Sequence, residues 1–329
     1  MRRCRLLALA FLFIVSLPGC GTGHSAEEKY FLITLNVQIP YWQTAKAGYS
    51  QAASDLKVWS EFSGPDSYDA KAEQQAFERA LAQKATGILV AAADPELLKT
   101  DIDQAIARGI PVLTIDSDAP SSKRLFLIGT NNYQAGFTGG QRLTKELHGK
   151  GNVVVFTMPD QINLKQRLQG YQDALQSAPG IKIIRVVDIK GDPRIAFDTA
   201  SQILGKERDK VDGFVCLEAL AGKEVATVLS NNGVTNKALM AMDTDPDTLD
   251  WIQKGVIRAT ISQKPYSMAY VGLMLLDHLY HHKLRSLDRD WSADSFAPIP
   301  SFIDTGSHLI DKGSVDRFAE AKKSAETRK

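Results

Sequence analysis

Cysteine is scarce in this chain, with Cys4, Cys20 and Cys216 the three among 329 residues. Cys4 and Cys20 fall in an apolar N-terminal segment, so Cys216 stands alone in the body, and a single thiol cannot close an internal disulfide. Set within Phe214-Val215-Cys216-Leu217, it reads as a small buried apolar residue, not a nucleophile. Histidine is sparse too. Its six copies are scattered, and the adjacent His281 and His282 point apart on a helix-like stretch, so no metal-ligand spacing is present and neither metal nor cofactor is expected. Neither sign of charge predominates. Without Arg2, Arg3 and Arg5 the basic count falls from 39 to 36 against 38 acidic residues, a formal charge of −2. No basic stripe exists to hold a phosphate backbone, which excludes nucleic acid as a partner. Uninterrupted apolar runs of about 18 residues, the length that spans a bilayer, are also missing.

What the N-terminus does carry is an address. Arg2, Arg3 and Arg5 form a positive region ahead of the apolar stretch from Leu6 to Leu17, which is too short to cross a membrane. Leu17-Pro18-Gly19-Cys20 resembles a bacterial lipobox, in which the cysteine becomes the lipidated first residue after cleavage. Residues 1–20 are therefore expected to be a lipoprotein signal peptide and 21–29 a polar tether. The implied location is periplasmic or cell-surface, held to the membrane through Cys20.

Beyond the tether, one pattern occurs twice. Gly87-Ile88-Leu89-Val90 leads through a helical stretch to Gly109-Ile110-Pro111-Val112-Leu113-Thr114-Ile115-Asp116. Gly213-Phe214-Val215-Cys216 leads similarly to Gly233-Val234 and then Ala238-Leu239-Met240-Ala241-Met242-Asp243. Each copy ends with an aspartate where an apolar strand runs out. The regular β–α alternation predicts an α/β fold of two Rossmann-like lobes with parallel sheets, joined by a multi-strand hinge. The expected lobes are 30–131 plus 264–291 and 132–263 plus 292–315, with one last strand near Pro300 to Leu309 and a polar tail over 316–329. Ligands of parallel α/β sheets bind beyond the carboxyl ends of the strands, so Asp116 and Asp243 should face each other across one cleft. The glycines of Gly136-Phe137-Thr138-Gly139-Gly140 fall inside a helix pattern and do not make a phosphate loop.

Five landmarks occur in a fixed order: Pro40-Tyr41-Trp42, Pro111 to Asp116, Arg167-Leu168-Gln169-Gly170-Tyr171, Met242-Asp243, and Ala259-Thr260-Ile261-Ser262-Gln263. In this the chain resembles the ribose-binding type of periplasmic sugar-binding protein, which shares its core with LacI-type repressors, over roughly residues 30 to 311. The resemblance implies the type I periplasmic binding protein fold and a monomer that captures a sugar or polyol and hands it to an ABC importer. The alternative is a receptor whose closed state is read by a histidine kinase or chemoreceptor. A transcription regulator is excluded, because an export signal occupies the place of a helix-turn-helix.

By the same resemblance Tyr41 and Trp42, on the loop after the first strand, stack on the sugar's apolar faces. Asp116, Arg167, Asp243 and Gln263 hydrogen-bond its hydroxyl rim. Ser117 stands where the ribose receptor has arginine and should leave the pocket roomier. Asp192, beside Gly191, occupies the place of a phenylalanine, so one aromatic wall is expected to be missing. Glu218 adds a third carboxylate opposed by Arg167 alone. Burying it requires a cationic ligand, exposure to solvent or a bound cation, or protonation. No nucleophile–base pair accompanies these residues, and binding without catalysis is expected.

Overall fold

The computed structural model describes residues 23–326 except 26 and 292. The signal-peptide and Cys20 expectations therefore lie outside the described residues. The first half runs β1 (Lys29–Ile33), α1 (Pro40–Leu56), β2 (Trp59–Ser63), α2 (Ala70–Ala82), β3 (Gly87–Val90), α3 (Pro95–Ala107), β4 (Val112–Ile115) and β5 (Leu127–Gly129). The rhythm then restarts with α4 (Asn132–Glu146), β6 (Lys150–Thr157), α5 (Ile162–Leu175), β7 (Gly180–Asp188) and α6 (Pro193–Lys206). It continues through β8 (Gly213–Cys216), α7 (Ala221–Asn231), β9 (Ala238–Met242), α8 (Pro246–Gln253) and β10 (Ala259–Ser262). The chain closes with α9 (Pro265–His281), β11 (Phe302–Asp304), β12 (His308–Asp311) and α10 (Val315–Glu326).

Two six-stranded sheets result, with orders β2-β1-β3-β4-β5-β11 and β7-β6-β8-β9-β10-β12. Every pairing is parallel except that of β10 with β12. β3, β4, β8, β9 and β10 are buried at every position, as strands covered by helices on both faces must be, and their sequences are correspondingly almost free of charge. Each sheet has its own apolar core, built around Phe31, Tyr49 and Phe77 in the first lobe and around Phe156, Phe214 and Leu239 in the second.

The C-terminal region departs from expectation. The single strand read near 300–309 is two short strands, and they belong to different lobes. Phe302–Asp304 extends the first sheet beside β5, while His308–Asp311 lies antiparallel to β10 in the second. Thr305 to Ser307 cross between them, with Gly306 at φ +82° making a turn that other residues resist. This third crossing hydrogen-bonds to the first, Thr305 N–H donating to the Gly129 carbonyl at 2.9 Å. Nor is 316–329 simply a polar tail. Val315 and Phe318, three residues apart on one helical face, dock α10 on the second lobe's core.

The glycines inside α4 are explained by packing. A Cβ at Gly136 would sit 2.0 Å from the Arg167 carbonyl oxygen, and one at Gly170 2.1 Å from that of Tyr133. Helices α4 and α5 thus approach backbone to backbone, which fixes the height of Arg167 over the second sheet.

Candidate functional site

Asp116 and Asp243 each follow the last residue of a central strand, and both adopt left-handed backbone, φ 62° and 70°. Such a conformation costs a non-glycine residue about 1–2 kcal/mol and marks a constraint imposed from outside. Each aspartate N–H donates to the neighbouring strand, Asp116 to Ile128 O at 3.0 Å and Asp243 to Ile261 O at 2.9 Å. The strand therefore ends without the backbone escaping, and the carboxyl turns into the gap between the lobes. Asp243 is free to do so because Asp245 caps α8, accepting from Thr248 N–H.

Around these carboxylates runs one polar network. The Tyr41 hydroxyl donates to Asp116 Oδ1 at 2.8 Å, and Asn163 Nδ2 reaches across the cleft to Asp116 Oδ2 at 3.2 Å. Arg167 is buried and held on three sides: Nε to Asn132 Oδ1 at 2.8 Å, Nη1 to Leu217 O at 2.8 Å, Nη2 to Gln263 Oε1 at 2.9 Å. Its Nη2 lies 3.8 Å from Asp116 Oδ1, an ion pair without a hydrogen bond. Gln263 in turn donates to Asp243 Oδ1 at 2.9 Å and accepts from the Thr130 hydroxyl at 2.8 Å. The donors of Arg167 are aimed by acceptors and cannot wander.

These groups surround an inter-lobe cavity with about 520 Å³ of non-protein space, part of it continuous with solvent. Its apolar lining comes from Leu35, Ile39, Trp42, Tyr68, Met158 and Leu164. The mixture of apolar faces with a few convergent polar groups is that of a small-molecule site.

Burial dominates the electrostatics. It pushes Asp243 up to about 7, against the opposing pull of Arg167 and of the Gln263 hydrogen bond. It likewise pushes Glu218 up to about 7, although two backbone N–H groups favour the charged form. Asp116 is raised for the same reason, with Arg167 and Tyr41 working against the rise. Tyr41 is driven well above its ordinary value by burial and by Asp116, so its hydroxyl keeps its proton and acts as donor. Three carboxyls and one guanidinium can share this site near neutral pH because protonation relieves part of the repulsion.

The structure brings Tyr41, Trp42, Asp116, Arg167, Glu218, Asp243 and Gln263 to the cavity. Ser117 and Asp192 are not among its lining. Ser117, two residues beyond the end of β4, is buried because its hydroxyl donates to Ala92 O, just past β3, at 2.8 Å. Asp192 caps α6, accepting from Arg194 N–H at 2.9 Å and pairing with the Arg194 guanidinium. Tyr41 and Trp42 stand on the first turn of α1 instead of a loop, since Pro40 at the first helical position starts the helix there. Trp42 is 1 % exposed and packs edge-on against Tyr41, rings 5.0 Å apart.

Glu218 neither faces solvent nor meets a Lys or Arg at ion-pair distance among the described residues. Its carboxylate accepts from the N–H groups of Leu220 and Ala221 at the start of α7. Four partners escaped sequence reasoning: Asn132, Asn163, Gln161 and Tyr68. Tyr68 supplies an aromatic wall from the opposite lobe. It packs against Gly191, where a Cβ would fall 2.4 Å from Tyr68 Cβ, so the glycine at the place of the missing aromatic makes room for one from the first lobe. Tyr68 sits in the stretch between β2 and α2, where no periodicity marks it.

A family model described as a periplasmic binding protein domain matches residues 30–283. The chain belongs to the periplasmic binding protein family. It is 24 % identical over 267 residues to the D-allose-binding periplasmic protein of Escherichia coli, covering 78 % of this chain and 86 % of that one. A sugar-binding protein of a sugar ABC transporter from Bacillus halodurans superposes with TM-score 0.76 at 32 % identity, over 88 % of this chain and 99 % of the other. AraP, an arabinose-binding protein from Geobacillus stearothermophilus, gives TM-score 0.74 at 32 % identity with the same coverage of both chains. The two-lobed architecture is the type I form, and the chain is of the ABC-transporter sugar-binding type. No helix among the described residues is long and apolar enough to cross a membrane.

Proposed function

We propose that the cleft captures a neutral monosaccharide or polyol of pentose to hexose size and presents it to an ABC importer. The observation that carries this reading is the pair of left-handed aspartates, Asp116 and Asp243, converging from two lobes on a cavity that also holds the clamped Arg167. A sugar's hydroxyls offer donors to the carboxylates and acceptors to Arg167 and Asn163. Its C–H faces suit Trp42 and Tyr68. A cationic ligand is not needed: burial pushes Asp243 and Glu218 up to about 7, so the empty cleft carries less than its full formal charge, and sugar hydroxyls donate to the carboxylates that ionise on binding. The names of the similar proteins, which specify allose and arabinose, support the size class.

Calorimetric titration of the full chain with pentoses, hexoses and polyols tests the reading. One-to-one binding of a neutral sugar is expected, weakened by about 2–4 kcal/mol in Arg167→Ala, as when one member of a buried charged hydrogen-bond set is removed. Affinity confined to amino sugars, or untouched by Arg167→Ala, overturns it. Anchoring through lipidated Cys20 belongs to the same proposal. Cys20→Ser should release the protein from the membrane fraction, and retention there rejects the anchor.

A further inference from the structure

Two of the histidines that look scattered in sequence, His24 and His281, meet in space, their ring centroids 5.1 Å apart. At the end of the first sheet opposite the cleft, the segment entering β1 lies against the last turns of α9. His24 Nε2 is 3.0 Å from Asp277 Oδ1, and His281 Nε2 is 3.1 Å from Glu28 Oε2 and 3.5 Å from Asp277 Oδ1. Ligand atoms of all four residues lie within 4.8 Å of one another. A tetrahedral zinc ion with bonds of about 2.0–2.1 Å has ligand–ligand edges of roughly 3.3–3.4 Å, and three of the observed separations bracket that value.

The carboxylates lie in the interior and the imidazoles close the site from the surface. Glu28 is 3 % and Asp277 9 % exposed, His24 is half-buried and His281 exposed, and among the described residues no Lys or Arg pairs with either carboxylate. The two buried carboxylates carry the charge that one divalent cation cancels. The second layer is also in place: the Tyr30 hydroxyl lies 3.2 Å from Asp277 Oδ1 and 3.4 Å from Glu28 Oε2, and Ser25 N–H donates to Glu28 Oε1 at 2.6 Å. Such partners orient metal ligands. Two imidazole nitrogens argue against calcium or magnesium, which take oxygen, and the absence of thiolate argues against copper(I).

We propose that His24, Glu28, Asp277 and His281 form a structural zinc site that fastens the segment entering β1 to α9. Each side contributes a pair four residues apart, His24 with Glu28 and Asp277 with His281. The ion staples the point where the chain joins the first lobe, four residues beyond Cys20, and leaves the hinge and cleft untouched.

The test uses the full chain, purified in detergent and stripped with a chelator. Zinc is titrated in competition with a chromophoric chelator, and cobalt(II) serves as a spectroscopic substitute. One equivalent of zinc, an intense tetrahedral cobalt spectrum and a rise in Tm reversed by chelator are expected. His24→Ala and His281→Ala should each weaken zinc binding at least tenfold. His24 precedes the first strand, so its variant keeps the core, and far-ultraviolet circular dichroism confirms that. No saturable zinc binding in the native chain, or unchanged affinity in both variants, overturns the site. Neither readout depends on which sugar the cleft takes.

Discussion

A carboxylate taken out of water beside two others stays ionised only as far as its partners allow, and Asp243 has Gln263 and a shared Arg167. Unfolded carboxylates bind protons only below about pH 4, whereas Asp243 and Glu218 in the folded protein hold theirs up to about 7. Between those values the folded state binds more protons than the unfolded one, so the stability of the sugar-free protein should fall as pH rises from about 4 to about 7 and level off above. Sugar hydroxyls favour the ionised forms. Binding should then release protons, and affinity should decline as pH drops below 7. Thermal melts across pH 4–8, with calorimetry in two buffers of different ionisation enthalpy, check both signs. Asp243→Asn separates site from stability: affinity should fall by about 2–4 kcal/mol, while the sugar-free protein gains about 1–3 kcal/mol at pH 8. Loss of both together would mean that Asp243 is a structural residue.

Among the elements, the contact of α4 with α5 positions the chemistry. Arg167 projects from α5 at a height set by glycines on both helices, and its Nε is held by Asn132 at the start of α4. Gly136→Ala drives a methyl into the Arg167 backbone, so α5 must move. A loss of about 2–4 kcal/mol in stability and a parallel loss of sugar affinity are expected. Gly205→Ala, near the end of α6, is the matched comparison, since its Cβ would meet nothing within 4 Å. It should be neutral or stabilise by up to about 1 kcal/mol. Urea melts of the two variants measured side by side distinguish packing from a general intolerance of alanine.

For the whole molecule, three crossings join the lobes, after β5, after β10 and between β11 and β12. Gln263 lies on the second and bonds to Thr130 on the first, to Arg167 and to Asp243. Among the described residues it is the cleft residue that bonds directly to a hinge segment and to both polar centres. Hinge closure in such folds absorbs its change in a few connecting residues. Gln263→Ala should lower affinity by about 1–3 kcal/mol and leave more of the protein open at a given sugar concentration. Small-angle scattering reads this as a smaller decrease in radius of gyration on adding sugar. Full contraction with native affinity would remove Gln263 from the coupling.

The repeated apolar strands, each bounded by glycine and closed by aspartate, determined by themselves the parallel sheets, the two lobes and the cleft position of Asp116 and Asp243. Periodicity and composition are local, and burial on both faces writes itself into every residue of a strand. Arg167 and Gln263 were legible from their ordered landmarks. Some other features depended on contacts between distant segments, which no window of sequence contains, and some on helix starts that competed locally for the same side chains. The sharing of β11 and β12 between lobes follows from a turn at Gly306. Ser117 and Asp192 were drawn away from the cavity by a nearer backbone carbonyl and a helix end. Tyr68, from the other lobe, supplies an aromatic wall where one was expected to be missing, and two backbone N–H groups at the start of α7 gave Glu218 its place. The meeting of His24 with His281 was likewise decided by tertiary structure alone, because the 256 intervening residues must fold before the first strand can lie beside α9.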